Sequence, residues 1–145
     1  MKKLVAVLAV ALLVAADKPK DDAGKKELDK IQGTWSYVSF EMNGMKTPAD
    51  ELKRMSITFE GNKVTIKQDD KIVVSGTQKL NSGKTPHEVD CLIVEGEGKG
   101  TTMLGIYELK GDTMKVCFDP AGKERPKSFT VKEGQFGGVV KRAKK

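Results

Sequence analysis

The sequence predicts an all-β protein, an antiparallel up-and-down β-barrel of about eight or nine strands with a short N-terminal helix. Beyond Gly33, apolar residues recur at every second position, which is the period of a strand that buries one face. The alternating runs are separated by turn sequences such as EGNK and QDDK, and runs joined by tight turns pair antiparallel. A sheet with one apolar face must close or fold upon itself, and closure into a barrel removes both exposed edges. An open sandwich is the alternative.

The N-terminal residues are typical of an export signal. Lys2 and Lys3 precede an unbroken apolar run over residues 4–16, and small residues stand just before Asp17. The run is too short to span a bilayer, which takes about 20 residues. We therefore expect a signal peptide over residues 1–16, a secreted or periplasmic mature protein and no stable membrane span after cleavage. A retained membrane anchor is the alternative.

A charged segment precedes a single domain. Residues 17–27 are mostly charged or small, which indicates a flexible linker. Residues 28–142 have a length suited to one domain. Apolar spacing over residues 23–31 predicts a short helix that covers one end of this domain.

The strands are predicted one after another along the chain. In the first, Val38 and Phe40 lie opposite to Trp35 although all three are apolar. A β-bulge, or a strand covered on both faces, would explain this pattern. A short helix over residues 48–53 follows, because proline and acidic residues suit a first helical turn. The remaining strands are expected at residues 55–59, 63–67, 72–80, 89–94, 103–109, 114–118, 129–131 and 137–141.

Alternation assigns one side of each strand to the barrel interior. The interior of an eight-stranded barrel is just wide enough for side chains or for one small ligand. The predicted lining, which is also the candidate ligand site, consists of Trp35, Phe59, Ile66, Val74, Ile93, Tyr107, Val116 and Phe129. For Trp35 we favour a structural position at the floor of the barrel over contact with a ligand.

Three segments resemble a known family: QGTWSYVSFEMNG, ELKRMSITFEGNKVTI and GIYELKGDTMKVCFDPAGKERPKSF. They are similar to a planctomycete family of small, exported lipocalin-like domains, and the similarity covers residues 28–141. The resemblance implies a lipocalin-like β-barrel and no particular reaction. In lipocalins a Gly-x-Trp opens the first strand, the Trp closes the barrel floor, and a basic residue from near the chain end often covers it. Gly33-Thr34-Trp35 matches this motif, and the resemblance implies that Arg142, or else Arg125, covers the indole.

Composition and spacing argue against several functions. The net charge is +6 and the lysines are scattered along the chain, which is typical of a solvated surface, so we expect no nucleic-acid partner. The only histidine, His87, shares no ligand spacing with Cys91 and Cys117, so we expect no metal and no cofactor. The pattern contains no facing carboxylate pair and no activated nucleophile, so we expect no catalytic residues and no enzyme.

The two cysteines are expected to be free. In an up-and-down sheet, the strands with Cys91 and Cys117 are separated by one further strand. Next-but-one strands lie about 9–10 Å apart, whereas the Cα atoms of a disulfide lie within about 7 Å of each other. The alternative, permitted by export to an oxidising compartment, is a bond between them.

One loop stands out by its charge. In FDPAGKERPKSF, Lys123, Arg125 and Lys127 crowd between two prolines. This loop is either a surface ion-pair cluster or a recognition loop for a protein partner.

We therefore expect an exported binding protein, monomeric, that holds a small apolar or amphipathic molecule inside the barrel. The alternative is a protein–protein or envelope-surface interaction module with a filled core and no ligand.

Overall fold

The computed structural model describes residues 24–143, so the predicted signal peptide and most of the predicted linker lie outside the described residues. This part of the chain contains two helices, α1 over residues 24–30 and α2 (Ala49–Leu52), and nine β-strands. The strands are β1 (Gly33–Met42), β2 (Met45–Lys46), β3 (Met55–Glu60), β4 (Lys63–Gln68), β5 (Lys71–Asn81), β6 (His87–Gly96), β7 (Thr102–Lys110), β8 (Thr113–Asp119) and β9 (Phe136–Arg142). Neither described helix is long and apolar enough to cross a membrane.

Eight of the strands form a closed, antiparallel, up-and-down barrel. Strands β3 to β9 are neighbours in chain order, and β1 pairs with both β3 and β9, which closes the ring. The pairing with β3 uses residues 33–36, and the pairing with β9 uses residues 35–42. The short strand β2 extends the sheet beside the end of β1. The predicted fold class, an up-and-down barrel with a short N-terminal helix, is confirmed.

The two ends of the barrel are built differently. At what we call the helix end, the start of β1 meets the end of β9, and α1 together with Ile31 packs against the core. At the loop end lie the β1–β2 turn and the long loop of residues 120–135 between β8 and β9. The packed domain begins before the expected boundary at residue 28, because Glu27 in α1 is buried and its carboxylate accepts a hydrogen bond from Tyr107.

Trp35 closes the helix end. Its side chain is fully buried, and its indole N–H donates to the carbonyl oxygen of Ile31 at 2.8 Å. The guanidinium carbon of Arg142 lies 4.4 Å from the centre of the Trp35 ring, a cation–π geometry. Arg142 also donates to the carbonyl oxygens of Lys30 and Gln32, and therefore ties β9 to the end of α1. The implied cover of Trp35 by Arg142 is confirmed.

Three β-bulges redirect side chains along the barrel wall. Register shifts leave one extra residue on one strand of each pair: Val38 between β1 and β9, Val73 between β4 and β5, and Val94 between β5 and β6. All three valines are solvent-exposed. Because Val38 is the extra residue, Tyr37 and Phe40 both line the interior. The bulge interpretation of the first strand is confirmed.

The predicted strand at residues 129–131 is wrong. These residues belong to the loop of residues 120–135, and Phe129 lies against the outer wall of the barrel instead of its interior. A Phe-x-Val pattern is too short to distinguish a strand from a loop that packs one side on a wall. The ninth strand is β2, whose two residues carry no detectable alternation.

Candidate functional site: a cavity inside the barrel

The barrel encloses a cavity of about 70 Å³ whose walls are almost entirely apolar. At the helix end the lining side chains, among them Phe59 and Tyr107, are buried. Towards the loop end the lining side chains are only half-buried, as for Phe40, Phe118 and Phe136. The interior is therefore sealed at the helix end and reaches solvent between side chains at the loop end.

Six of the eight predicted lining residues do line this cavity. They are Phe59, Ile66, Val74, Ile93, Tyr107 and Val116. Trp35 lies outside the lining, in the floor, with its ring edge-on to Phe59 at 6.5 Å between centroids. Phe129 is a correction, because it lies in a groove on the outer wall. Contact of the six residues with a ligand stays a prediction.

Aromatic side chains form the rim at the loop end. Tyr37 packs edge-on to Phe40 with ring centroids 5.9 Å apart, and Phe136 lies 5.6 Å from Phe40. Phe118 stacks on Phe136 at 5.3 Å. The ring of Phe118 packs directly against β7 at Gly105. It fits there because glycine has no Cβ, whereas the Cβ of any other residue at this position would overlap the ring. A molecule that enters the cavity from this end must pass these rings.

Two polar side chains interrupt the apolar wall. Ser75 is buried, and its hydroxyl donates to the carboxylate of Glu95 at 3.2 Å. Gln78 is also buried, and no group within residues 24–143 accepts a hydrogen bond from its Nε2. Both residues lie on β5.

A buried carboxylate–phenol pair seals the helix end. Tyr107 donates to Glu27 at 2.9 Å, and the more exposed Lys30 donates to the same carboxylate at 3.0 Å. Desolvation acts to raise the pKa of Glu27, but these hydrogen bonds and the charges of Lys30 and His87 outweigh it, so that the pKa is lowered. Burial and the neighbouring carboxylate raise the pKa of Tyr107. The phenol therefore stays protonated and remains committed to Glu27.

The cysteines are free, as expected, and both are buried. Cys91 faces the cavity, whereas Cys117 lies on the next-but-one strand. Burial raises the pKa of Cys91 to about 11 and also raises that of Cys117. Neither side chain is therefore suited to act as a thiolate near neutral pH. Within residues 24–143, no group of three or more His, Cys, Asp or Glu side chains is arranged to hold a metal ion.

The charged loop is fixed to the barrel by Arg125. Its guanidinium donates to the carbonyl oxygens of Val89 and Gly105, and to the carboxylate of Asp90 at 2.6 Å. Glu88 lies 3.6 Å away, and the Arg125 side chain is only 24% exposed. Of the two interpretations of this loop, these contacts favour the ion-pair cluster for Arg125. Lys123 and Lys127 remain exposed.

Sequence reasoning missed three features of the site. Gln78 could have been found from the sequence, because it lies two residues before Leu80 on the same strand. Strand alternation therefore places this polar side chain on the inward face. Phe136 lies one residue before the predicted start of the last strand. The pairing of Glu27 with Tyr107 joins positions 80 residues apart and leaves no local pattern.

Comparisons with models of protein families, with curated proteins and with solved structures found no match in any of the three. Of the resemblance described above, the structure supports the architecture, a closed antiparallel barrel of eight strands that is compatible with a lipocalin-like fold.

Proposed function

We propose that the chain is an exported binding protein that holds a small, largely apolar molecule inside its barrel. The observation that carries this proposal is the apolar cavity, which is sealed by Trp35 and α1 at one end and rimmed by half-buried aromatic rings at the other. No reaction is proposed. Export is supported by the apolar run over residues 4–16 and predicts a mature protein that begins at Asp17.

The cavity volume limits what can bind without rearrangement. A cavity of about 150 Å³ lined by aliphatic and aromatic side chains accommodates benzene. The cavity in this barrel has about half of that volume, about 70 Å³. A molecule with more than a few non-hydrogen atoms must therefore extend between the half-buried side chains at the loop end.

Two neighbouring valines on β5 provide a matched test. Val74 lines the cavity, whereas Val73 is the exposed bulge residue beside it. We expect 2-methylpentane to bind the wild type and the Val73→Phe variant alike, measured by NMR chemical-shift changes of cavity residues. Val74→Phe fills the cavity and should lose at least tenfold in affinity. Equal binding by both variants, or no binding by the wild type, would contradict the proposal.

The alternative is a protein partner at the charged loop. It is supported by the attachment of this loop to the barrel through hydrogen bonds of Arg125 and by the exposure of Lys123 and Lys127. A partner recovered with the wild type should be lost with Lys123→Ala/Lys127→Ala and retained with Val74→Phe. The opposite pattern would assign the interaction to the barrel interior.

A further inference from the structure

Gln78 is a buried polar group of the cavity whose hydrogen bonding is incomplete. It pairs with Cys91 of β6, and its side chain, 9% exposed, contributes to the cavity wall between Gly76 and Leu80. Among the described residues, no acceptor forms a hydrogen bond with its Nε2. A buried amide N–H without an acceptor is unfavourable, and most such groups in folded proteins are satisfied.

Two of the other polar groups of the wall are already committed, whereas the hydroxyl of the half-buried Tyr37, at the loop-end rim, makes no hydrogen bond within residues 24–143. The Tyr107 hydroxyl donates to Glu27, and the Ser75 hydroxyl donates to Glu95. No lysine, arginine or histidine of residues 24–143 lines the cavity. A charged carboxylate would therefore be buried without a counter-ion, which is strongly unfavourable. The chemistry of the wall selects a neutral molecule with an oxygen that accepts a hydrogen bond.

The position of Gln78 also orients such a molecule. The adjacent residue Thr77 pairs with Lys63, at the start of β4, and the backbone N–H of Gln78 donates to Asn62 in the β3–β4 turn at the helix end. An oxygen bound by Gln78 therefore lies deep in the barrel, and the remainder of the molecule points towards Phe118 and Phe136 at the loop end.

We propose that the cavity binds a neutral carbonyl or hydroxyl compound with an unbranched apolar chain, whose oxygen accepts a hydrogen bond from Gln78 Nε2. Short and medium-chain ketones, aldehydes and alcohols belong to this class. This inference rests on the proposed function, because it names the ligand chemistry of the same cavity.

The test compares two probes of the same shape, 2-pentanone and 2-methylpentane, in which a carbonyl oxygen replaces a methyl group. The measured quantity is the ratio of their affinities in the wild type, in Gln78→Met and in the control Gln68→Met. Gln68 is half-buried on β4 and lies outside the cavity lining. We expect the ratio to fall about tenfold in Gln78→Met, as for loss of one buried hydrogen bond, and to be unchanged in Gln68→Met.

A second measurement needs no variant. In the wild type, the side-chain amide proton resonances of Gln78 should shift with 2-pentanone and with 1-pentanol, and should shift much less with 2-methylpentane. Pentanoate at neutral pH should leave them unchanged.

The outcomes separate the two proposals. If neither neutral probe binds the wild type, the proposed function fails and this inference fails with it. If both probes bind the wild type, two results refute the role of Gln78 while cavity binding stands. The affinity ratio is then the same in Gln78→Met as in the wild type, and the Gln78 amide resonances shift equally with 2-pentanone and 2-methylpentane. An ordered water that satisfies Gln78 and is not displaced by 2-pentanone would give this second result.

Discussion

Removal of one hydroxyl group at the helix end should destabilise the protein in a pH-dependent way. In Tyr107→Phe, the buried carboxylate of Glu27 loses a hydrogen bond of 2.9 Å. Only 8% of the Glu27 side chain is exposed, so water cannot replace the lost donor without local opening. Lys30 remains, but 61% of its side chain is exposed, so that its ion pair contributes little.

The magnitude follows from the charge of the acceptor. A hydrogen bond to a charged group contributes about 1.5–3 kcal/mol to the free energy of unfolding, and a neutral one about 0.5–1.5 kcal/mol. The pKa of Glu27 is lowered from 4.5, so its stabilisation is present above that value and is lost as the pH falls through the folded-state pKa. We therefore expect Tyr107→Phe to cost about 2 kcal/mol at neutral pH, where Glu27 is charged, and about 1 kcal/mol or less at a second, acidic pH that lies below the folded-state pKa of Glu27.

Urea denaturation at the two pH values measures this difference, and Tyr37→Phe is the matched control. The Tyr37 side chain is half-buried, and its hydroxyl makes no hydrogen bond within residues 24–143. Its removal should change the free energy of unfolding by less than about 0.5 kcal/mol at either pH. The assigned role of Glu27 is refuted if Tyr107→Phe lowers the free energy of unfolding equally at both pH values, or by no more than Tyr37→Phe does.

Three further outcomes test the fold. Arg142→Lys should lower the free energy of unfolding, measured by urea denaturation, by about 1–3 kcal/mol and alter tryptophan fluorescence, because lysine lacks the planar guanidinium group. The control Arg54→Lys, at an exposed position, should cost under about 0.5 kcal/mol. Gly138→Ala should destabilise the protein by more than about 1 kcal/mol, because its Cβ would overlap the backbone of β1 where β1 meets β9. Gly24→Ala in α1 should instead stabilise it by about 0.5–1 kcal/mol. Thermal denaturation should therefore show a lower melting temperature for the first variant and a higher one for the second. The two cysteines should resist a thiol reagent near neutral pH in the native state and both react after denaturation without reductant; two unreactive thiols after denaturation would indicate a disulfide.

The features that sequence predicted well are those with local periodicity. The pattern of apolar residues and turns located all eight barrel strands to within a few residues, and the opposed apolar sides of the first strand indicated its bulge. The resemblance to lipocalins implied that Trp35 closes the floor and that Arg142, or else Arg125, covers it, and Arg142 is the residue that lies over the indole. The strand positions and the bulge depend on neighbours in the chain, so no tertiary information was needed to predict them.

The features that sequence predicted poorly depend on long-range packing. The pattern around Phe129 resembled a strand because one side of the loop packs against the outer wall. The loop with Arg125 was left open between an ion-pair cluster and a recognition loop, because the groups that Arg125 contacts, on Val89, Gly105 and Asp90, lie on strands distant in sequence. Whether large side chains fill the barrel depends on bulges and rotamers, and the cavity beside Gln78 therefore became visible only in the structure.

The most direct measurement of the central claim is diffraction from crystals pressurised with xenon, which enters dry apolar cavities and needs no knowledge of the natural ligand. We expect xenon density inside the barrel, between Ile93 and Tyr107, in the wild type and in Val73→Phe, and its loss in Val74→Phe. Xenon absent from the barrel interior, or found only in the outer groove beside Phe129, would contradict a ligand cavity in this protein.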